Sequence, residues 1–481
     1  MAFEAGRIRR VAVIGAGPAG AITLDALVRE QVFEEIRVFE RRERAGGIWL
    51  YDEHPSPSSV PVGVERASDV DAPLTPPASL PAATAKCTQE RFERTPIYAS
   101  LETNIDADVM AFTEEPIPAV TSEASRERFG PHSPFRHHTV IQQYVEGLCT
   151  RKDYGRYIEY NVTVERAAKS GDEWVLTLRR AEATRDVWWQ ERFDALVVCS
   201  GHFHVPVVPE LPGLAAFAAQ HPGAVEHTKN FRHRDDYRGL NVVVIGGNIS
   251  AMDMAFDLVD CARHVAVSVR GAPHPYFTDA VFSHPRIHRH PGIRRVSPDD
   301  RTVYYVDGTV QRGVDKIVLG TGYRFSLPFL PEVDVSNNRL HGVYQHVFNI
   351  SDPSLAYVGA VSSGLTFKTF EWQAVLVSRF FAGRCRLPPV AAQREWEAQR
   401  VAARGDSAKF AVQYPDFEEY FDAVRDLAGN QGPGRKLPPF DRRWSEKFDA
   451  CVRMRIDAWV RDIEAARRAQ HTAQETSAVH L

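Results

Sequence analysis

Short, mostly apolar runs recur along the chain and stop abruptly on glycine. Residues 11–14 run into Gly15-Ala-Gly17-Pro-Ala-Gly20, and residues 240–245 run into Gly246-Gly-Asn248-Ile-Ser250-Ala251. An unbroken apolar run of this length predicts a strand buried on both faces of a parallel sheet. Helical spacing follows each turn, over residues 21–30 and 252–262, and a further strand follows each helix, over 35–39 and 264–269. Strand, turn, helix, strand therefore occurs twice. Residues 174–179 alternate as a half-buried strand, and residues 193–200 read as a buried strand ending at Gly201, like the last strand of the first unit. A proline-punctuated crossing, residues 205–212, precedes the second unit. Strands over 315–323 and 355–359 are both expected to complete the first unit.

The glycines have a shared physical purpose. They allow the tight turn, the approach of backbone to a pyrophosphate, and close packing of helix on strand, while the helix N-terminus faces the phosphates. The fold class is thus α/β, with two dinucleotide-binding, Rossmann-like domains. Glu40 ends the second strand, where its carboxylate can accept from the hydroxyls of an adenosine ribose. Arg270 occupies the equivalent place in the second unit. A carboxylate repels a 2′-phosphate and a guanidinium pairs with it, so the first site leans to an adenine dinucleotide without that phosphate and the second to NADPH. The alternative for Arg270 is a solvated arginine at a strand end. Asn248 and Ala251 stand where the strict pattern has glycine, Ser250 adds a hydroxyl donor, and Asp253 on the same helix joins the cofactor-binding candidates. The expected domains are residues 1–204 and 320–440 for FAD, with the smaller NADPH domain, 205–319, inserted between them. Residues 441–481 form a C-terminal helix and tail.

With 481 residues, the chain is too long for one core. A formal net charge of −4 without a basic stripe argues against nucleic acid as a partner. No run of about 18 apolar residues suggests a membrane span, and the first strand begins too early to leave a signal peptide, so a cytoplasmic location is expected. Six scattered cysteines without a Cys-x-x-Cys pair argue against a local redox disulfide or a common zinc site, so no metal is expected. Residues 52–85, rich in Pro, Ser and Ala, read as an irregular surface insertion. Trp444, Phe448, Val452, Ile456, Trp459, Val460 and Ile463 recur at helical spacing, predicting a helix packed on the body or on a partner subunit, which permits a homodimer. From residue 469 the composition reads as frayed.

Several ordered segments together resemble the flavin-containing monooxygenases, class B flavoproteins using FAD, NADPH and O2. They are the two glycine turns, Gly46-Gly47-Ile48-Trp49, Tyr98-Ala-Ser-Leu-Glu-Thr103-Asn104, Cys199-Ser-Gly201-His202, Gly223 with His227 and Phe231, Thr321-Gly322-Tyr323, and Phe370-Glu-Trp-Gln-Ala374. His221 stands where the family fingerprint begins with phenylalanine, and Phe231 favours the branch that oxidises nitrogen and sulfur over Baeyer–Villiger enzymes. The resemblance implies that Ile48, Trp49, Thr103, Asn104, Thr321 and Gly322 join the cofactor sites. It also implies that Asn104 and His227 take part in catalysis; His227 could equally only order the linker, and Asn104 could merely cap a turn. The implied reaction passes one oxygen atom of O2 through a C4a-hydroperoxyflavin to a soft nitrogen or sulfur of a small molecule. A Baeyer–Villiger monooxygenase is the alternative enzyme, and an FAD-bound scaffold or redox sensor the alternative without catalysis.

Overall fold

The computed structural model describes residues 8–55, 60, 62, 70–362 and 364–479, and in it the apolar runs become the centres of two sheets. In the first, Arg10–Ile14 is paired in parallel with Glu35–Glu40 on one side and Ala195–Val198 on the other. Ile158–Tyr160 and Leu355–Tyr357 extend it in parallel, and the short strands Phe348–Asn349 and Val343–Tyr344 close one edge antiparallel. Ala195–Val198 is thus a central strand, with Leu355–Tyr357 beyond it.

One face of this sheet is covered by helices. Pro18–Glu30 makes the first crossover, and Thr366–Phe381, nearly all of whose residues are buried, packs against it. The other face carries a four-stranded antiparallel sheet, Ala82–Ala85, Arg185–Phe193, Glu173–Ala181 and Val162–Ser170. Ile14, Phe39, Val164, Leu176, Leu178, Phe193 and Leu196 fill the space between. Three layers result: helices, parallel sheet, antiparallel sheet. The helical layer is fastened by a buried ion cluster in which Arg435, wholly buried, donates from Nη1 to Asp25 at 2.8 Å and from Nε to Glu371.

The second sheet is entirely parallel, in the order Val225–His227, Lys316–Leu319, Asn241–Ile245, His264–Ser268, Ile287–His290. Ile249–Leu258 is its first crossover helix, and a three-stranded antiparallel sheet from Ile293 to Gln311 shares a core with the Leu214–Gln220 helix. The two units are joined where Val205–Pro206 pairs antiparallel with Tyr323–Arg324, so the chain enters and leaves the second unit through adjacent strands.

Three expectations are corrected. Lys316–Leu319 lies between two strands of the second sheet and does not complete the first, since its in-register partners are Val225–His227 and residues 242–245. The end of the proline-rich stretch is not irregular: Ala82–Ala85 is an edge strand whose backbone pairs with residues 185–188. Pro57 and Pro61, with residues 56–59 and 63–69, lie outside the described residues. Helix Arg443–Val479 continues well past residue 469, where fraying was expected. It buries Phe448, Val452, Trp459 and Ile463 against the body and leaves Val460 exposed. Among the described residues no helix is long and apolar enough to cross a membrane.

Candidate active site

The first glycine turn is a set of close approaches that side chains would block. Gly15 has φ of 101°, and a Cβ there would meet the Cys199 carbonyl oxygen at 2.7 Å. One on Gly20 would meet the Gly15 carbonyl oxygen at 1.9 Å, so Gly20 supports the turn from beneath. The turn at Gly46-Gly47 presses on it from the other side: a Cβ on Gly47 would lie 2.7 Å from the Gly17 Cα. Gly17 is the N-cap of Pro18–Glu30 with Pro18 in the first turn, and no side chain caps that helix. The open first-turn amides and the absence of Cβ atoms fit a pyrophosphate. Glu40 is buried at the strand end, and its carboxylate accepts from the Ala16 amide at 2.7 Å and the Arg42 amide at 2.8 Å. Burial pushes its carboxyl above the usual range, against the pull of those two amides. Glu40 thus holds the turn closed as well as facing the cavity.

These elements surround a cavity of about 360 Å³ that brings together Gly15, Gly17, Glu40, Ile48, Trp49, Thr103 and Asn104. The Thr103 amide donates to Arg136 O at 2.8 Å, its hydroxyl donates to Ile105 O at 3.2 Å, and the Arg136 amide donates back to that hydroxyl at 3.0 Å. Residues 103 and 105 are thus pinned on either side of Asn104. No protein group among the described residues engages the Asn104 amide, which is half-buried on the cavity wall. Trp49 meets Phe367 edge-on at 6.4 Å, and Phe370 continues the aromatic wall.

His227 stands elsewhere. It is buried, its Nδ1 accepts from the Lys229 amide at 3.1 Å, and its Nε2 donates to Gly322 O at 3.0 Å. Burial brings its pKa down to about 3. Both ring nitrogens are thus bonded to backbone, and the residue does not line this cavity. Thr321 and Gly322 join the same fastening: the Thr321 hydroxyl donates to Val207 O, and Gly322 O accepts from the Val207 amide at 2.9 Å.

The second turn forms its own group. Gly246 has φ of 144°, and a Cβ on it would meet Gly320 O at 2.2 Å. Ala251 takes a position where the strict motif has glycine, and the space is returned by Gly320, where a Cβ would lie 2.8 Å from the Ala251 methyl. Asn248 is an N-cap that makes no side-chain bond to its helix, Ser250 is half-buried in the first turn, and Arg270 is an exposed guanidinium with its stem against Gly292. Asp253, in the next turn of the same helix, pairs its carboxylate with Arg455 of the C-terminal helix at 2.6 Å.

Sequence reasoning missed several groups on or near the cavity. Arg41, Phe92, Val164 and Phe367 line it, Val164 at a register shift of the antiparallel sheet. His202 lines it with its ring stacked on Phe325 at 5.1 Å, and burial pushes its pKa down to about 4. Buried Lys229 donates to Phe92 O at 3.0 Å and His204 O at 2.6 Å, and burial beside Arg41 lowers its ammonium to about 7. Only the Gly201-His202 segment carried a sequence signal; the others are placed by tertiary packing alone.

Comparison with known proteins agrees with this geometry. Residues 86–274 and 289–432 match the family described as flavin-binding monooxygenase-like. The chain is 26% identical to the flavin-containing monooxygenase ustF2 of Aspergillus flavus, over 92% of this chain and 96% of that protein. It is 30% identical to flavin-containing monooxygenase FMO GS-OX-like 2 of Arabidopsis thaliana, over 79% of this chain and 75% of that one. Among solved structures, the S-allyl-L-cysteine S-oxygenase of Allium sativum superposes with a TM-score of 0.73 at 25% identity, covering 96% of this chain and 98% of that chain. Cyclohexanone monooxygenase shares the fold at a TM-score of 0.56 and 14% identity, over 87% of this chain and 98% of that one. With the family matched across most of the chain and the glycine cradle and cavity in place, this protein belongs to the flavin-binding monooxygenase-like family and is a flavin-dependent monooxygenase.

Proposed function

We propose that the protein uses FAD and NADPH to place one oxygen atom of O2 on a soft nitrogen or sulfur of a small molecule. The observation that carries this reading is the Asn104 amide, on the cavity wall between two pinned neighbours and without a partner among the described residues. Bound flavin, reduced by NADPH, supplies the activation of oxygen. The Gly15–Gly20 turn and the amides of the following helix bind the pyrophosphate, and Glu40 receives the ribose hydroxyls. Trp49, Phe367 and Phe370 keep water from the reacting edge. Asn104 holds the reacting oxygen with a neutral donor, which orients it without handing it a proton. His202, neutral at working pH, adds no stray proton either. At the second turn, Ser250 and the helix N-terminus bind phosphate, and the exposed Arg270 pairs with the 2′-phosphate.

Two observations support heteroatom oxidation over Baeyer–Villiger chemistry: Phe231 in the linker fingerprint, and a better superposition on an S-oxygenase than on cyclohexanone monooxygenase. The test is NADPH oxidation under ¹⁸O2 with a thioether, a tertiary amine and a cyclic ketone as probes, products read by mass spectrometry. A labelled S-oxide or N-oxide is expected. A labelled lactone alone would move the assignment to the Baeyer–Villiger reading, and NADPH consumption yielding only hydrogen peroxide with every probe would sink it. Asn104→Ala is expected to keep its flavin and its NADPH oxidation but to yield less product per NADPH by about 10²-fold or more, the scale of one lost transition-state donor.

A further inference from the structure

The long C-terminal helix lies against both units at once. Towards the first, Lys447 pairs at 2.7 Å with Asp108 on the short helix Ala107–Met110 that follows Asn104, and Arg461 donates to Arg128 O at 3.1 Å. Phe448 fits over Gly364 so closely that a Cβ there would meet its ring at 2.3 Å, and packs edge-on to Phe417 at 5.7 Å. Towards the second, Trp459 meets Phe277 at 5.8 Å, and Arg455 donates to Asp253 at 2.6 Å.

This last pair differs from the surface ion pairs around it. Its side chains are only 14% and 18% exposed, whereas those of Lys447 and Asp108 are 45% and 75% exposed and worth little. The Arg455 guanidinium also lies 5.1 Å from the Phe277 ring and 5.3 Å from Trp459, which fixes its direction. Asp253 stands on Ile249–Leu258, the helix whose N-terminus carries the second glycine turn. Burial, with the Asp253 carboxylate beside it, raises the pKa of Asp257, one turn further along the same helix, to about 7, which leaves Asp253 as the firmer charge facing Arg455.

We propose that Arg455, acting through Asp253, is a positioning residue for the second nucleotide site. It holds the Ile249–Leu258 helix in one place against the first unit, so that a dinucleotide on the Gly246–Ala251 turn reaches the cavity beside Asn104. The proposal rests on the reading that this turn binds NADPH. A merely structural pair would stabilise the fold without setting where the turn sits; a positioning pair is felt in nucleotide affinity, and each partner is needed for the other to act.

The experiment is equilibrium titration of the flavin-loaded protein with NADP⁺, followed by flavin fluorescence, in wild type, Arg455→Met, Asp253→Asn, the double variant and Arg455→Lys. Hydrogen exchange of amides 249–258 and flavin content are measured alongside. Each of Arg455→Met and Asp253→Asn is expected to weaken NADP⁺ binding about five- to twentyfold and to speed exchange in that helix, with flavin content unchanged. The double variant is expected to be no weaker than the worse single, and Arg455→Lys to fall between, since a point charge keeps the pair but not its fixed geometry. Wild-type affinity in every variant, with only the melting temperature lowered, would overturn the positioning role, as would tighter binding in Asp253→Asn. No NADP⁺ binding by the wild type would overturn the nucleotide reading and the proposal with it. Should Arg455→Met fail to fold, Asp253→Asn decides.

Discussion

Single residues divide into those whose task is steric and those whose task is electrostatic. Gly15→Ala places a methyl against the Cys199 carbonyl at a φ that other residues rarely adopt, so the variant is expected to purify without flavin, read from its visible absorbance. Arg270→Ala is expected to raise KM for NADPH by about tenfold while leaving that for NADH unchanged, as loss of one charge-assisted contact predicts. His227 carries a pH signature. Its folded pKa of about 3 lies below the ordinary 6.5, so the stability it contributes is complete above pH 6.5 and is lost as pH falls from there towards 3. His202 and His138, each near 4, act in the same sense. His227→Asn, whose amide oxygen can still accept from the Lys229 amide, is expected to show a shallower acid loss of unfolding free energy, by up to about 1.4 kcal/mol per pH unit. Urea titrations on either side of the neutral range check this. Gly15, Gly17 and Glu40 were legible in the sequence because turn chemistry is local. Lys229 was not, because its role comes from carbonyls distant in sequence.

Strands and helices were legible wherever hydrophobic period and glycine agreed, and misread where a strand's neighbours had to be guessed. Lys316–Leu319 shows why: its apolar run suits either sheet, and only pairing with Val225–His227 and Asn241–Ile245 decides. Ala82–Ala85 was hidden for the opposite reason, since small residues among prolines carry no period, and the partner strand supplies the order. The crossover helix at Ala251 shows compensation between elements, because the missing glycine of the motif is repaid by Gly320 on the adjoining strand. Ala251→Val is expected to lower stability by about 1–3 kcal/mol through overpacking, while Ala251→Gly costs no more than about 1 kcal/mol, both read by urea unfolding. Arg435 binds the helical layer from within. Arg435→Met strands the buried carboxylates of Asp25 and Glu371 and is expected to cost about 3–5 kcal/mol, measured the same way.

On the scale of the whole molecule, the two-unit α/β plan was visible from two repeats of one pattern, whereas the grip of the C-terminal helix on both units was not. The sequence marked that helix as amphipathic; its partners, Gly364, Phe277 and Asp253, could be found only in space. The paired strands Val205–Pro206 and Tyr323–Arg324 have a wider meaning. Seen from the first sheet, everything between them is the loop of a hairpin, however much chain that loop contains. Closing a loop costs an entropy that grows only with the logarithm of its length, so an insert that folds by itself adds little burden to its host. The second unit is therefore a cassette with its two ends side by side, and, on the proposal that it binds NADPH, a related cassette of different coenzyme preference could be spliced in at these strands, with the face towards Arg455 kept, while the first unit stays as it is.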